Sequence, residues 1–239
     1  MNNILDLHTH SVLSTHAYST LYENICFARK AGLKYYGISE HQYDDKGVGA
    51  HPYAFLNIDT LPRYYEGMMI LRGIELNIRD EGFDISKINM NKFDYCIASM
   101  HHYAYSNRHS VEENTANYLK ACQQPFVNIL GHIDGDDYPV DYEAVVKECK
   151  KTNTLIELNN NSLRPNSSRK GALQIDRLIL KLCQQYKQPI IIGSDAHICF
   201  DVGRADRAFA LLEECDFPKE LVLNLNEELF LNYLNICNK

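Results

Sequence analysis

Residues 4–10 read ILDLHTH and residues 190–197 read IIIGSDAH: two short apolar runs near opposite ends of the chain, each finishing in metal-binding side chains spaced two apart. On a strand, residues i and i+2 point to the same face. Asp6, His8 and His10 are therefore predicted to share an inward face, as are Asp195 and His197. The two ends serve one site only if the first and last strands are neighbours. Closing the sheet into a barrel makes them so.

Four more apolar runs end in the same way. His41 closes YYGISEH, Glu75 closes MILRGIE, His101 and His102 close YCIASMHH, and His132 closes VNILGH, while His16 follows the first run in STHAYST. Eight of the ten histidines thus fall at or just past the end of an apolar run or close behind it. Strands are predicted at 4–7, 35–39, 69–74, 95–99, 127–130, 154–158 and 189–193, each apolar on both faces as an internal parallel sheet requires. Helical patterns cover 21–31, stopped by Gly32, then 111–122, 142–151, 172–186, 205–214 and 227–236. Strand and helix in alternation is the βαβ signature. An open doubly wound sheet would spread the polar strand ends along a wide edge, whereas a (β/α) barrel brings them to one C-terminal rim. The barrel is the expected fold, as one domain over 1–239 with no repeat or linker. The last helix, ELFLNYLNIC, carries an apolar face for the barrel or for a second subunit.

Composition narrows the function. An apolar fraction of 45% is ordinary for a globular chain, and the formal charge is −7 with no basic run to track a phosphate backbone. Stable nucleic-acid binding is not expected. The start has no basic-then-apolar leader, no apolar stretch approaches the length of a membrane span, and the eight cysteines include no C-x-x-C pair. A reduced, cytoplasmic protein with no membrane partner is expected.

Taken singly, these side chains are unremarkable. A histidine after a strand, such as His41 or His132, is ordinarily a hydrogen-bonded structural residue, and Glu75 would ordinarily be a solvated turn residue. Convergence changes the balance, because five or six inward polar groups at one rim need something to satisfy them. Divalent cations do so, and imidazole with carboxylate suits Zn, Mn or Fe better than Ca or Mg. Between His101 and His102 the parity of the strand decides nothing. His51 and His109 lie in predicted loops, as surface or substrate-loop residues.

With these residues in view, the chain resembles the PHP (polymerase and histidinol phosphatase) family of metal-dependent phosphoesterases over essentially its whole length. Within that family it is most similar to the YcdX-like phosphatases, through DLHTHSVLSTHAYST, ILRGIELNI, IELNNNS and SRKG. The resemblance implies a distorted (β/α)7 TIM-like barrel carrying three divalent metal ions, most often zinc, at the C-terminal rim of the strands. It further implies that His8 and His10 hold one metal with Glu75 and Asp195. Glu75 would bridge to a second metal held by His101 and His132, and His16, His41 and His197 would hold the third. All nine ligand positions are filled. The departure is IDGDDYPVD after His132, where relatives tend to have a proline directly after the histidine.

The chemistry expected of such a site is hydrolysis of a small phosphate monoester by a hydroxide bridging two metals, with Glu75, Asp195 and His197 at the reacting centre. Three divalent ions outweigh the charge of two carboxylates, so the pocket would attract a phosphate dianion. In NNNSLRPNSSRKG (159–171), Arg164, Arg169 and Lys170 are candidates to bind the substrate phosphate, against the plainer reading of a solvated loop. Arg204 and Arg207 read as surface residues. Histidinol-phosphate phosphatase is the neighbouring alternative, with HPYAFL and HHYAY as possible walls for its leaving group. A different class would be a non-catalytic module stabilised by its metals. An exonuclease lacks a basic track, and an amidohydrolase would want a lysine ending a mid-barrel strand, which none does. The substrate, native metal and oligomeric state stay open.

Overall fold

A computed structural model describes residues 1–105 and 109–234. Its strands are β1 (Leu5–Asp6), β2 (Tyr35–His41), β3 (Tyr64–Tyr65), β4 (Met68–Asn77), β5 (Tyr95–Ser99), β6 (Ile129–Leu130), β7 (Leu155–Asn159) and β8 (Ile190–Gly193). The helices are α1 (Leu21–Lys30), α2 (Val111–Cys122), α3 (Tyr142–Thr152), α4 (Ala172–Tyr186), α5 (Asp206–Glu214) and α6 (Glu227–Leu234). All seven expected strands form, in the parallel order β1-β2-β4-β5-β6-β7-β8, and β3 adds a short antiparallel flap on β4. The helices follow the sequence reading closely because their ends are chemically marked. Thr20 with Glu23 and Ser110 with Glu113 make capping boxes, and Gly32 takes φ +80° just past α1. Of the last expected helix, residues 235–236 lie outside the described part.

The barrel is a distorted (β/α)7 type for two visible reasons. First, β2 and β4 are joined through a 3-10 segment (Pro52–Thr60) and the flap, and β4 leads to β5 through a 3-10 turn (Met90–Lys92), so no α-helix covers these two crossovers. Second, β1 and β8 share no regular ladder. Their seam is closed by a single parallel bridge, Thr9 with Ala196, and by side chains. Asn224 donates from Nδ2 to the carbonyls of Leu5 (3.1 Å) and Ile192 (3.0 Å) and accepts from the Ile192 N–H (2.7 Å). One buried amide thus substitutes for the missing rungs.

Asp6 was expected to face inward with His8 and His10, and it does not. Leu5 and Leu7 belong to the interior cluster with Tyr95, Ile97, Ile129, Leu155 and Ile191. The alternation slips by one residue after Leu7, and His8 then also turns inward. The Asp6 carboxylate instead accepts from the N–H groups of Ser194 (3.1 Å) and Gly203 (2.8 Å), a second tie across the seam. Its complete burial pushes its pKa up to about 6.

Below the rim the barrel is filled by mainly apolar side chains. Tyr95 crosses the interior, donating from Oη to the Leu7 carbonyl (2.6 Å), against Gly37 and Gly73, whose missing side chains make room for the ring. Phe230 of α6 plugs the bottom against Tyr35 (ring centroids 4.7 Å), so the apolar face of the last helix packs on the barrel. The seven described cysteines carry free thiols, and no described helix is long and apolar enough to cross a membrane. Because Asn224 serves three buried backbone groups, Asn224→Ala is predicted to cost on the order of 3 kcal/mol in urea unfolding. A loss below about 0.5 kcal/mol, typical of surface changes, would contradict this account of the seam.

Candidate metal centre

Each candidate ligand is delivered by the end of a strand or the turn that follows it. His8 and His10 follow β1, and His16 follows the 3-10 turn Val12–Ser14. His41 is the last residue of β2. Glu75 lies within β4, which runs two residues beyond it. His101 follows β5, His132 follows β6, and Asp195 and His197 follow β8. The bridge from Thr9 to Ala196 sets H-x-H and D-x-H side by side across the seam.

Glu75 is fully buried at the centre. Its Oε1 lies 3.0 Å from His132 Nε2, 3.3 Å from His101 Nε2 and 3.4 Å from His8 Nε2. Its Oε2 lies 2.6 Å from His41 Nδ1 and 3.6 Å from His10 Nε2. Asp195 Oδ1 lies 3.4 Å from His10 Nε2 and 3.7 Å from His8 Nε2. At the outer edge His197 Nε2 is 2.9 Å from His16 Nε2 and 3.5 Å from His41 Nε2. Four overlapping triads have ligand atoms within 4.8 Å of one another: His8–His10–Asp195, His8–Glu75–His132, His41–Glu75–His101 and His10–His41–His197.

The donor atoms fit a cation. Despite these approaches, the buried Nε2 atoms of His8, His10 and His101 and the Oε2 of Glu75 make no hydrogen bond of proper geometry. Buried polar atoms without partners are expensive. The opposite ring nitrogens are held: His8 Nδ1 by Glu157 Oε1 (2.7 Å), His101 Nδ1 by Asn77 Oδ1 (2.8 Å) and His197 Nδ1 by the Asp195 carbonyl (3.0 Å). Holding one nitrogen and presenting the other is the arrangement of a metal-ligating imidazole. His132 (φ +31°) and Asp195 (φ +51°) take backbone conformations disfavoured for side chains larger than glycine, the kind of strain that clusters at functional sites.

Electrostatics keep most of the imidazoles neutral. Burial lowers His101 to about 3 and, with His41 and His197 beside it, His16 to about 4. His10 is held well below the usual range by burial and the same neighbours, and burial also lowers His197. Burial opposes ionisation of Glu75 and Asp195, but the surrounding imidazoles, and Arg169 for Asp195, outweigh it and hold both well below the usual carboxylate range. His8 is the exception. Burial would lower it, yet Glu157, Glu75 and Asp195 together raise it well above the ordinary value.

A cavity of about 630 Å³ opens over the cluster. Arg169 lines it, donating from Nη1 to Asp195 Oδ2 (3.0 Å) and Ser162 Oγ (3.2 Å). Arg164 is an exposed wall residue, whereas Lys170 is exposed and does not line the cavity. His101 is buried against Glu75, and His102 sits exposed at the mouth. His51 stacks on Tyr53 in a separate hollow and His109 bonds Asp80 (2.9 Å), so neither joins the cluster. Arg204 pairs with Asp201 on the surface (2.8 Å).

Several buried residues around the ligands went unread in the sequence. Glu157 supports His8. Asn77 supports His101. Glu40 accepts from Ser11 N–H (3.1 Å) and Ser14 Oγ (2.5 Å), tying down the loop between His10 and His16. The available signal was a lone carboxylate inside a strand apolar on both sides, as in Ile156-Glu157-Leu158. Tyr103, from the HHYAY stretch read as a possible wall, stacks on His101 (centroids 5.0 Å) and lines the cavity.

Comparison with known proteins gives the family and the fold. The PHP domain family model matches residues 6–161. A probable phosphatase of Clostridium botulinum is 40% identical over 236 residues, covering 98% of this chain and 95% of that protein. A probable phosphatase of Caldanaerobacter subterraneus is 40% identical over 233 residues, covering 97% and 91%. Among solved structures, histidinol phosphate phosphatase from Lactococcus lactis, complexed with zinc, L-histidinol and phosphate, superposes with a TM-score of 0.65 at 17% identity, covering 91% of this chain and 95% of that one. A chain of an archaeal ribonuclease P with mature tRNA gives 0.60 at 17% identity, covering 97% and 90%. At that identity the likeness is one of fold.

A metal ligand must give up its proton. The lowered imidazoles are already neutral at pH 7, while His8, raised, still carries a proton there. Titration with Zn²⁺ at pH 7 is therefore predicted to release protons, His8 contributing one of them. Calorimetry in two buffers of different ionisation enthalpy measures it, and binding without net proton release would contradict the assignment.

Proposed function

The chain belongs to the PHP domain family, and from that premise we propose that it acts, as one barrel domain over 1–239, as a metal-dependent phosphatase on a small-molecule phosphate monoester. The observation that carries the proposal is the set of buried imidazole nitrogens that converge on Glu75 and Asp195 without hydrogen-bond partners. The relatives that match nearly the full chain bear the name of probable phosphatases, which supports the same reaction class.

Three divalent ions are assigned, one to His8, His10, Glu75 and Asp195, one to Glu75, His101 and His132, and one to His16, His41 and His197. The overlap of the four triads at His8, His10, His41 and Glu75 supports closely adjacent cations. The donor set favours zinc, with manganese or iron also compatible. When bound, such ions supply a water made nucleophilic near neutral pH and neutralise charge on the phosphoryl oxygens.

The protein's own groups do the rest. Glu75, ionised and central, holds its five imidazoles within 3.6 Å. Asp195 aims Oδ1 at His8 and His10 while Oδ2 takes Arg169 and Asn159, so one carboxylate fixes both the ligand cluster and the guanidinium. Arg169 uses Nη1 for these contacts and keeps its other N–H groups for a phosphoryl oxygen in the cavity. His197, with Nδ1 bound to the Asp195 carbonyl, presents Nε2 at the outer edge beside His16 and His41, where a leaving group would face the cavity mouth. Arg164 on the exposed wall suits an anionic part of the substrate. Lys170, off the cavity, is left a weaker candidate.

Elemental analysis of gently purified protein is expected to find about three divalent ions per chain, with turnover in a panel of phosphate monoesters that includes histidinol phosphate. His41→Ala and Asp195→Ala should each lower kcat at least about 100-fold, and Arg169→Ala should lower kcat/KM roughly 10- to 100-fold. A stable protein that holds no metal and stays inactive after Zn or Mn is restored would overturn the proposal and leave a non-catalytic module.

A further inference from the structure

Glu157 sits on β7 beneath the candidate ligands, about 2% exposed, and its two oxygens serve three donors. Oε1 accepts from His8 Nδ1 (2.7 Å). Oε2 accepts from the backbone N–H of His132 (2.8 Å) and from Asn159 Nδ2 (3.0 Å). Asn159 Nδ2 lies in turn 3.3 Å from Asp195 Oδ2. From one point, therefore, this carboxylate reaches the ligand from β1, the strained backbone of the ligand from β6, and the ligand from β8. Gly193 on β8 leaves the space, since a Cβ there would collide with Glu157 Oε1 and crowd His8.

We infer that Glu157 is a positioning residue: it fixes His8 with Nε2 toward the metals and sets the spacing of His8, His132 and Asp195. The inference rests on the metal-centre reading above. Two other roles fit less well. As a further ligand, Glu157 would need a free lone pair aimed at the cluster, but both oxygens are engaged by N–H groups on its own side, and it belongs to none of the four triads. As an ordinary core residue, it would be a costly choice. No described Lys or Arg lies within ion-pair distance, and an ionised carboxylate buried beside a single histidine is poor value for stability alone. A cation on His8 Nε2 makes the Nδ1–H a stronger donor, which gives the buried charge its use.

The decisive variant is Glu157→Gln. An amide has one acceptor oxygen, so with three N–H groups converging on the side chain its NH₂ must face at least one of them. The shape is kept and the polarity is wrong. Zn²⁺ affinity, measured by competition with a chromophoric chelator, is expected to fall roughly 10- to 100-fold. The visible spectrum of the Co²⁺-substituted protein should shift, because the ligand geometry changes. Asn159→Ala leaves the His8 contact but removes the links to Glu157 and Asp195 and the acceptor of the Ser162 N–H, so it should weaken Zn²⁺ several-fold. A merely structural role would lower the thermal stability of metal-free and Zn²⁺-loaded protein alike. A positioning role shrinks the gap between them.

Wild-type affinity and an unchanged Co²⁺ spectrum in Glu157→Gln would overturn the inference. Should that variant fail to fold, Glu157→Asp decides, since it keeps the charge but shortens the reach to His8 Nδ1 and the His132 N–H: several-fold weaker Zn²⁺ supports the role and unchanged affinity refutes it. None of these readouts needs turnover. A wild-type chain that binds metal but hydrolyses no monoester sinks the phosphatase reading and leaves the affinities to judge Glu157, whereas a wild-type chain that takes up no metal overturns both.

Discussion

The seam between β1 and β8 is the constraint on which the rest depends. Seven parallel strands leave their first and last members without a regular ladder, and only Thr9 and Ala196 pair across the gap. The remaining rungs come from the side chains of Asp6 and Asn224. Those same few residues carry H-x-H on one side and D-x-H on the other. The weakest line of the barrel is thus also where four candidate ligands meet, and every other ligand is placed relative to it.

Polarity in the interior is divided by height. The floor is closed by Tyr95, Leu7, Ile97 and Ile129, with Phe230 and Tyr35 below, and the tyrosine hydroxyls there are bonded, Tyr95 to the Leu7 carbonyl and Tyr35 to Glu227. Above it the packing is imidazole on imidazole, His10 against His41 at 4.1 Å between centroids and His16 against His41 at 4.9 Å. The depressed pKa values of His10 and His16 keep those two rings neutral in the stack. Among the buried carboxylates, Glu75, Asp195 and Glu157 are each placed where an imidazole or a cation answers the charge.

Around this cluster runs a set of supports that the ligands need and that do not touch the cavity: Glu157 for His8, Asn77 for His101, Glu40 for the loop between His10 and His16. They hold the outward ring nitrogens and the backbone, so the inward nitrogens have one orientation. Arg169 joins the supports to the cavity, since its contact to Asp195 places a guanidinium where an oxyanion would meet the cluster.

Much of this was written in local sequence. The strand runs, the stop at Gly32 and the polar strand endings all depend on neighbours a few positions away, so periodicity and residue type suffice to read them. What depends on distant partners was not legible. Asp6 has the right parity for a ligand, yet a one-residue slip after Leu7 sends it to the backbone of Ser194 and Gly203. Glu157 and Asn224 are single polar residues among apolar ones, with roles set by groups 149 and 219 positions away. Strand parity left His101 and His102 level and the resemblance chose His101; the structure then places His101, not His102, against Glu75. The sequence by itself determined which side chains end the strands and that their residue types suit a cation. Only the tertiary structure decided which way each one turns and what holds it, because orientation in a closed barrel is settled by contacts across the ring.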